Sequence, residues 1–197
     1  MSSAVLYMSM SLDGFVAGPN ESPDNGLGDG GGRLHEWLSA DRDDASGVPG
    51  RPPGANGQVY DEFMSTGAVV AGKGTFEPAG GWGGDHHDGV PIWIFSRHQP
   101  GIDTSQWPLV TYVTDVGTAI TEAKRAAGGK EVLVHGAAVA QLALAAGLLD
   151  EVMISLVPIL LGGGRSLFGE LGEPIGLEPS RVIEGAGVTH LRFRVMR

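Results

Sequence analysis

Residues 67–77 read Gly67-Ala68-Val69-Val70-Ala71-Gly72-Lys73-Gly74-Thr75-Phe76-Glu77. Four apolar residues in a row, without polar alternation, describe a strand covered on both faces, as in a parallel sheet. The glycine-rich turn after it delivers the C-terminal end of that strand to the start of a helix. Backbone N–H groups there, the Lys73 ammonium and the Thr75 hydroxyl could hold one phosphate. An ordinary strand-to-helix turn explains the same residues. Gly67, four residues, Gly72 and Lys73 nearly complete a nucleoside-triphosphate loop. The match fails because Gly74 stands where Ser or Thr must hold magnesium, and because Ala-Val-Val-Ala is strand rather than a loop free to wrap phosphates.

On either side of this stretch, strands and helices alternate. Strands are expected at 4–10, 68–71, 92–95, 109–114, 131–135 and 151–157, and a closing hairpin at 182–184 and 189–195 around Gly185-Ala186-Gly187. Helices are expected at 60–64, from Asp115, which serves as N-cap, to about Ala127, and at 137–149. Strands separated by helices call for a largely parallel sheet with an antiparallel end. Between Pro19 and Gln58 stand nine Gly and five Pro in forty residues, with one short helical island at Leu34-His35-Glu36-Trp37-Leu38. This reads as a long irregular loop of the kind that forms lids and binding loops. No linker divides the chain, so residues 1–197 are taken as one domain.

The 197 residues carry 13 basic and 23 acidic side chains, a formal charge of -10. That balance argues against sequence-independent nucleic-acid binding, whose affinity comes from cations displacing counterions along phosphates. There is no Cys, which excludes disulfides, thiolate metal sites and cysteine nucleophiles. The chain opens on no secretory leader and has no apolar run of 18 residues, so a cytoplasmic protein without a membrane partner is expected.

Four further segments invite chemistry. At Val134-His135-Gly136-Ala137-Ala138-Val139 a strand ends, one Gly turns the chain, and a helix of small residues begins. Its amides and positive dipole end suit an anion, and its small side chains let a pyrophosphate reach the backbone; close helix–sheet packing explains the same Ala residues. At Gly162-Gly163-Gly164-Arg165, three Gly after a strand suit a chain passing close to something, with Arg165 near a further helix start; a flexible loop with a surface Arg is the alternative. In Gly80-Gly81-Trp82-Gly83-Gly84-Asp85-His86-His87-Asp88, adjacent His and Asp residues rarely ligate one ion together, so a solvated loop is expected and no metal, with Trp82 as a movable wall over a ligand. Ser11-Leu12-Asp13-Gly14-Phe15 is either a plain turn or the entry to a lid. No Gly-x-Ser-x-Gly elbow or His-Glu-x-x-His occurs. Anion-friendly helix starts without a strong nucleophile suggest that a bound cofactor does the chemistry.

In this order, Ser9–Gly18, Gly72–Glu77, His135–Ala138, Gly147–Val152 and Pro158–Gly164 resemble the dihydrofolate-reductase-like family over nearly the whole chain. The branch most similar is the reductase domain of the bifunctional deaminase–reductase of riboflavin synthesis. The resemblance implies an α/β fold with a mixed, mainly parallel sheet of about eight strands flanked by helices, NADPH as cofactor and a homodimer. It places Ser11, Leu12, Gly14 and Phe15 along the nicotinamide. Gly72, Lys73, Gly74 and Thr75 would hold cofactor phosphate, and Ser96, Arg97 and His98 would lie beside the 2′-phosphate. His135, Gly136, Ala137, Ala138 and Val139 would take the pyrophosphate. Substrate would enter beside the long loop and Trp82, near Gly163 and Arg165. Lys73-Gly74 replaces a more usual pair of basic residues, which leaves Arg97 and His98 more of the 2′-phosphate discrimination. The zinc deaminase domain is not represented.

The implied activity is hydride transfer from NADPH to a C=N or C=O carbon of a small heterocyclic or sugar-derived substrate, of the 5-amino-6-(5-phosphoribosylamino)uracil or pterin kind. Asp13, Glu36 or water would deliver the proton. The alternative is a ligand-binding protein that keeps the fold without turnover.

Overall fold

The computed structural model describes residues 2–22, 24–38, 50–169 and 171–196. The strands are β1 (Ala4–Ser11), β2 (Phe15–Ala17), β3 (Ala68–Gly72), β4 (Ile92–Phe95), β5 (Val110–Val113), β6 (Val132–His135), β7 (Glu151–Val157), β8 (Arg165–Ser166), β9 (Leu177–Gly185) and β10 (Val188–Val195). The helices are α1 (Gly54–Met64), α2 (Lys73–Phe76), α3 (Val116–Ala126) and α4 (Ala137–Ala145). Eight strands form one sheet in the order β5-β4-β3-β6-β1-β7-β10-β9. The first six run parallel; β10 pairs antiparallel with β7 and with β9. The α/β fold with a mainly parallel eight-stranded sheet and a closing antiparallel hairpin is therefore observed.

All five residues of β3 are buried, because β3 lies inside the sheet with apolar clusters on both faces. On one face Val70, Val132 and Val134 pack under α3 and α4; on the other Val69, Leu133 and Met153 pack with Val59 of α1 and Phe76 of α2. Asp115 caps α3 by accepting from the Thr118 N–H at 2.7 Å, as its position predicts.

Several elements differ from their expected bounds. α1 starts six residues before Tyr60, behind Pro52-Pro53. Gly57 sits inside this helix because a Cβ there would collide with the Pro52 carbonyl. α4 ends at Ala145 rather than Leu149, where Gly147 takes φ +64° and turns the chain. Its apolar side chains Val139, Ala140, Ala143 and Leu144 lie in the core. β9 begins at Leu177, and its edge position tolerates Pro179. The expected loop at 19–58 contains a 3-10 helix at Gly31–Leu38 and the first turn of α1; residues 39–49 of it lie outside the described residues. No helix among the described residues is long and apolar enough to cross a membrane.

Candidate functional site

Parallel strands leave their C-terminal ends on one edge of the sheet, and the crevice outside those ends is where open α/β sheets bind ligands. β3 and β6 are neighbours, with Ala71 opposite His135, so the turns that follow them are brought side by side. Gly72, Gly74 and Thr75 from one turn and His135, Gly136, Ala137 and Ala138 from the other line a common cleft of about 830 Å³. The two turns interlock. Gly136 has φ +93°, and a Cβ on it would run into the Thr75 hydroxyl oxygen. Only glycine meets both conditions. No side chain caps α4, so the first N–H groups of this nine-residue helix are left to a ligand or to water.

The opposite wall comes from elements that no local motif marks. Tyr60 and Phe63 project from α1, Trp37 and His35 from the 3-10 helix, and Tyr7 and Ser9 from β1. The Trp37 indole N–H donates to Ser9 Oγ at 2.9 Å, which fixes that helix against β1. Trp82 closes the side, held edge-on to Phe76 at 5.2 Å and to His86 at 4.6 Å between ring centroids. Trp82 has φ +51° between two glycines that also have positive φ. A bulky residue in that conformation is strained, and such strain collects at ligand sites.

Three imidazoles face the cleft. Burial pushes His135 down to about 4 and His86 to about 3, each further depressed by neighbouring histidines. Burial also lowers the His35 pKa, opposed only in part by the Gly31 carbonyl. All three are neutral at neutral pH. Among the described residues no hydrogen bond engages the His135 ring. His35 Nδ1 is buried and makes no hydrogen bond of ordinary geometry. His86 shares a 2.7 Å hydrogen bond with His87, whose Nε2 meets the Thr66 hydroxyl at 3.1 Å. The 85–88 segment is thus no solvated loop at its histidines: His87 is buried and His86 lines the cleft, while Asp85 and Asp88 stay exposed. No group of three His, Asp or Glu among the described residues is placed to hold a metal.

Several expected positions fall elsewhere. Asp13 does not line the cleft; it accepts from the Ser11 hydroxyl at 2.6 Å and from the Leu161 and Gly162 N–H groups at 3.1 and 2.7 Å. These bonds, Ser11's first, hold its carboxyl below the usual range. It clamps the β1–β2 turn to the 158–162 segment and stores no proton at neutral pH. Glu36 is exposed and pairs with Arg33 at 3.9 Å, while its neighbour His35 turns inward. Ser11, Leu12, Gly14 and Phe15 likewise do not line the cleft, although Val16 and Ala17 do. Lys73 points away: its ammonium donates to the Gln99 carbonyl at 2.6 Å and lies 3.6 Å from Glu77. That bond ties the end of β4 to α2. Next to it, Ser96 closes a turn with the His98 backbone, and the exposed Arg97 guanidinium lies over Phe95 at 5.8 Å. Val139 is wholly buried in the core. A Cβ on the half-buried Gly163 would meet open space, and Gly164 passes so close to the Ala17 carbonyl that no Cβ fits. What the triple glycine approaches is therefore β2, which β8 pairs antiparallel. Arg165 sits on β8, not at a helix start; it lines the cleft and donates to Glu21 at 2.8 Å.

Comparison with known proteins bears on the fold and the family. The model of the RibD C-terminal domain matches residues 3–184. Among solved structures, a protein of Shewanella sp. PV-4, provisionally named as a riboflavin biosynthesis protein, is 23% identical at a TM-score of 0.71, with 99% of both chains covered. Acinetobacter baumannii RibD is 16% identical at a TM-score of 0.60, with 100% of this chain and 58% of that chain covered. A Thermotoga maritima diaminohydroxyphosphoribosylaminopyrimidine deaminase/5-amino-6-(5-phosphoribosylamino)uracil reductase is 12% identical at a TM-score of 0.62, covering 99% and 57%. The chain thus spans a little over half the length of the latter two. No curated protein matches it. A family model that spans nearly all of the eight-stranded sheet and both cleft turns places the chain: it belongs to the RibD C-terminal domain family.

Proposed function

We propose that the protein is an NADPH-dependent reductase of the riboflavin-pathway type, acting on a small heterocyclic substrate in the cleft between the β3–α2 and β6–α4 turns. The single observation that carries this reading is the pair of turns on one cleft, with an uncapped helix start at Ala137 and a glycine at Gly136 whose Cβ would close the approach. That cradle fits a pyrophosphate: backbone N–H groups and a helix dipole face it, and the Ala137 and Ala138 side chains are too small to bar the way. Thr75 adds a hydroxyl at the junction of the turns. Arg97 and His98, exposed at the end of β4, would supply the cationic contact that selects a coenzyme with a 2′-phosphate, as the family resemblance implies.

The reduced nicotinamide would supply the hydride. The chain's own part is to fix the two rings face to face and to exclude water. Trp82, Trp37 and Phe63 provide apolar walls, and the Asp13 clamp holds the 158–162 segment against the β1–β2 turn. Neither Asp13 nor Glu36 is placed to give up a proton in the cleft. Among the cleft groups that can direct a proton or a water are the imidazoles of His35, His86 and His135.

Isothermal titration of the intact protein with NADPH and with NADH tests the reading. Micromolar binding of NADPH, weaker binding of NADH, and loss of the difference in Arg97→Ala are expected. No heat with either coenzyme refutes it.

A further inference from the structure

The electrostatics of the cleft bear on which substrate that reductase takes. A phosphomonoester carries close to two negative charges at neutral pH, and a site for it needs guanidinium or ammonium groups free to pair with it. The described cleft offers one cation, Arg165, and Glu21 already neutralises it at 2.8 Å. Asp24 adds a second carboxylate to the same lining. Lys73 is turned to Gln99 and Glu77, and Arg51 is paired with Asp61 at 2.7 Å. The sequence of residues 39–49 adds one Arg against three Asp, so it contributes no net positive charge. The histidines do not repair the deficit, since burial keeps His35, His86 and His135 in their neutral forms. The uncapped helix start that lines the cleft, at Ala137, lies at the cofactor cradle.

What the cleft does offer is aromatic surface with polar marks. Trp82, Trp37, Tyr60 and Phe63 supply aromatic surface. The His135 ring and the buried Nδ1 of His35 have no hydrogen-bond partner of ordinary geometry among the described residues. A buried polar atom such as His35 Nδ1 is ordinarily paired, so its partner is to be sought in a ligand, with the partly buried His135 ring lining the same cleft. Neutral imidazole presents one donor and one acceptor, which matches the alternating N–H and C=O edge of a pyrimidine or pteridine ring.

Resting on the reductase reading, we propose that the substrate is an uncharged planar nitrogen heterocycle without a phosphate group. Its polar edge is read by His35 and His135, and its face is covered by Trp82. The phosphoribosyl substrate in the name of the Thermotoga protein is then a poor fit here, because its phosphate would meet Glu21 and Asp24 with no free cation.

The test is a matched pair of probes, 6-ribitylaminouracil and its 5′-phosphate ester, titrated calorimetrically into the intact protein saturated with NADPH. The phosphate-free compound should bind about tenfold or more tightly than the ester, a difference of one decade in affinity. Glu21→Gln, which frees Arg165, should narrow that gap. His35→Phe should weaken the phosphate-free probe while leaving NADPH binding unchanged. Equal or tighter binding of the ester overturns the proposal, as does failure of both probes to bind while NADPH binds. Absence of NADPH binding would instead refute the reductase reading; the probe pair, repeated without coenzyme, then decides the phosphate preference by the same criterion.

Discussion

Replacing Gly136 by Ala perturbs the cleft at the contact that joins its two turns. The cost has two separable parts. Ala at φ +93° and ψ 142° occupies backbone space that only glycine visits freely, worth about 1–3 kcal/mol. Its Cβ also falls closer than 3.0 Å to Thr75 Oγ1, an overpacking worth about 1–3 kcal/mol more. The total is a large share of the roughly 5–15 kcal/mol by which a domain is stable. Thr75→Ala removes the obstructing oxygen and leaves the next nearest atom, the residue 75 Cβ, at 3.5 Å, an ordinary contact. Urea unfolding of wild type, both single variants and the double variant closes the cycle. The second substitution should recover the steric part and leave the backbone part, so the coupling is favourable by about 1–3 kcal/mol. Additivity within about 0.5 kcal/mol would refute the claim that the two turns touch.

Arg192 bridges β10 to three carboxylates, at 2.5 Å to Glu151 and Glu131 and 3.5 Å to Glu62, while Tyr7 donates to Glu131. Arg192→Met strands those charges, and chemical unfolding should show a loss of about 3–5 kcal/mol. Burial lowers His190 to about 4, as it lowers His135 and His86. Between pH 6.5 and about 4 the unfolded chain therefore binds more protons, so stability falls on acidification through that window and is flat above it; urea midpoints from pH 8 to 4 check this. A His190→Gln variant should flatten the slope. Asp13→Asn should raise amide exchange at Leu161 and Gly162 and leave the shape of the pH–rate profile unchanged, since Asp13 clamps backbone and gives up no proton. Trp82→Ala should raise the substrate KM about tenfold with a smaller effect on kcat, as loss of aromatic cover implies.

The sheet was legible because its strands are short, apolar and punctuated by turns: Ala68–Gly72 and Val132–His135 carry their burial in their composition. The cleft turns were legible for the same reason, since Gly72 ends β3 and Gly136 follows directly on β6. β2 and β8 were not, because three- and two-residue strands leave no periodicity. The start of α1 was hidden by Gly54 and Gly57, which do not break the chain there: Gly54 takes φ +61° at the helix start and Gly57 makes a close approach to the Pro52 carbonyl. His135 was read with the β6–α4 turn and His86 with the Trp82 loop, but their meeting with His35 escaped because 35, 86 and 135 converge only in three dimensions. At the 3-10 helix the charged Glu36 marks the exposed side while its neighbour His35 turns inward. Asp13 sits in a turn that invites a catalytic reading, yet two backbone N–H groups 148 and 149 residues away claim its carboxylate.

A crystal of the intact protein soaked with NADPH is the most direct measurement. The coenzyme pyrophosphate should lie within hydrogen-bonding distance of the backbone N–H groups of Ala137 and Ala138, with the Thr75 hydroxyl beside it and the nicotinamide directed toward Trp82 and His135. Density for the coenzyme on any other surface, with the two turns bare, would contradict the account.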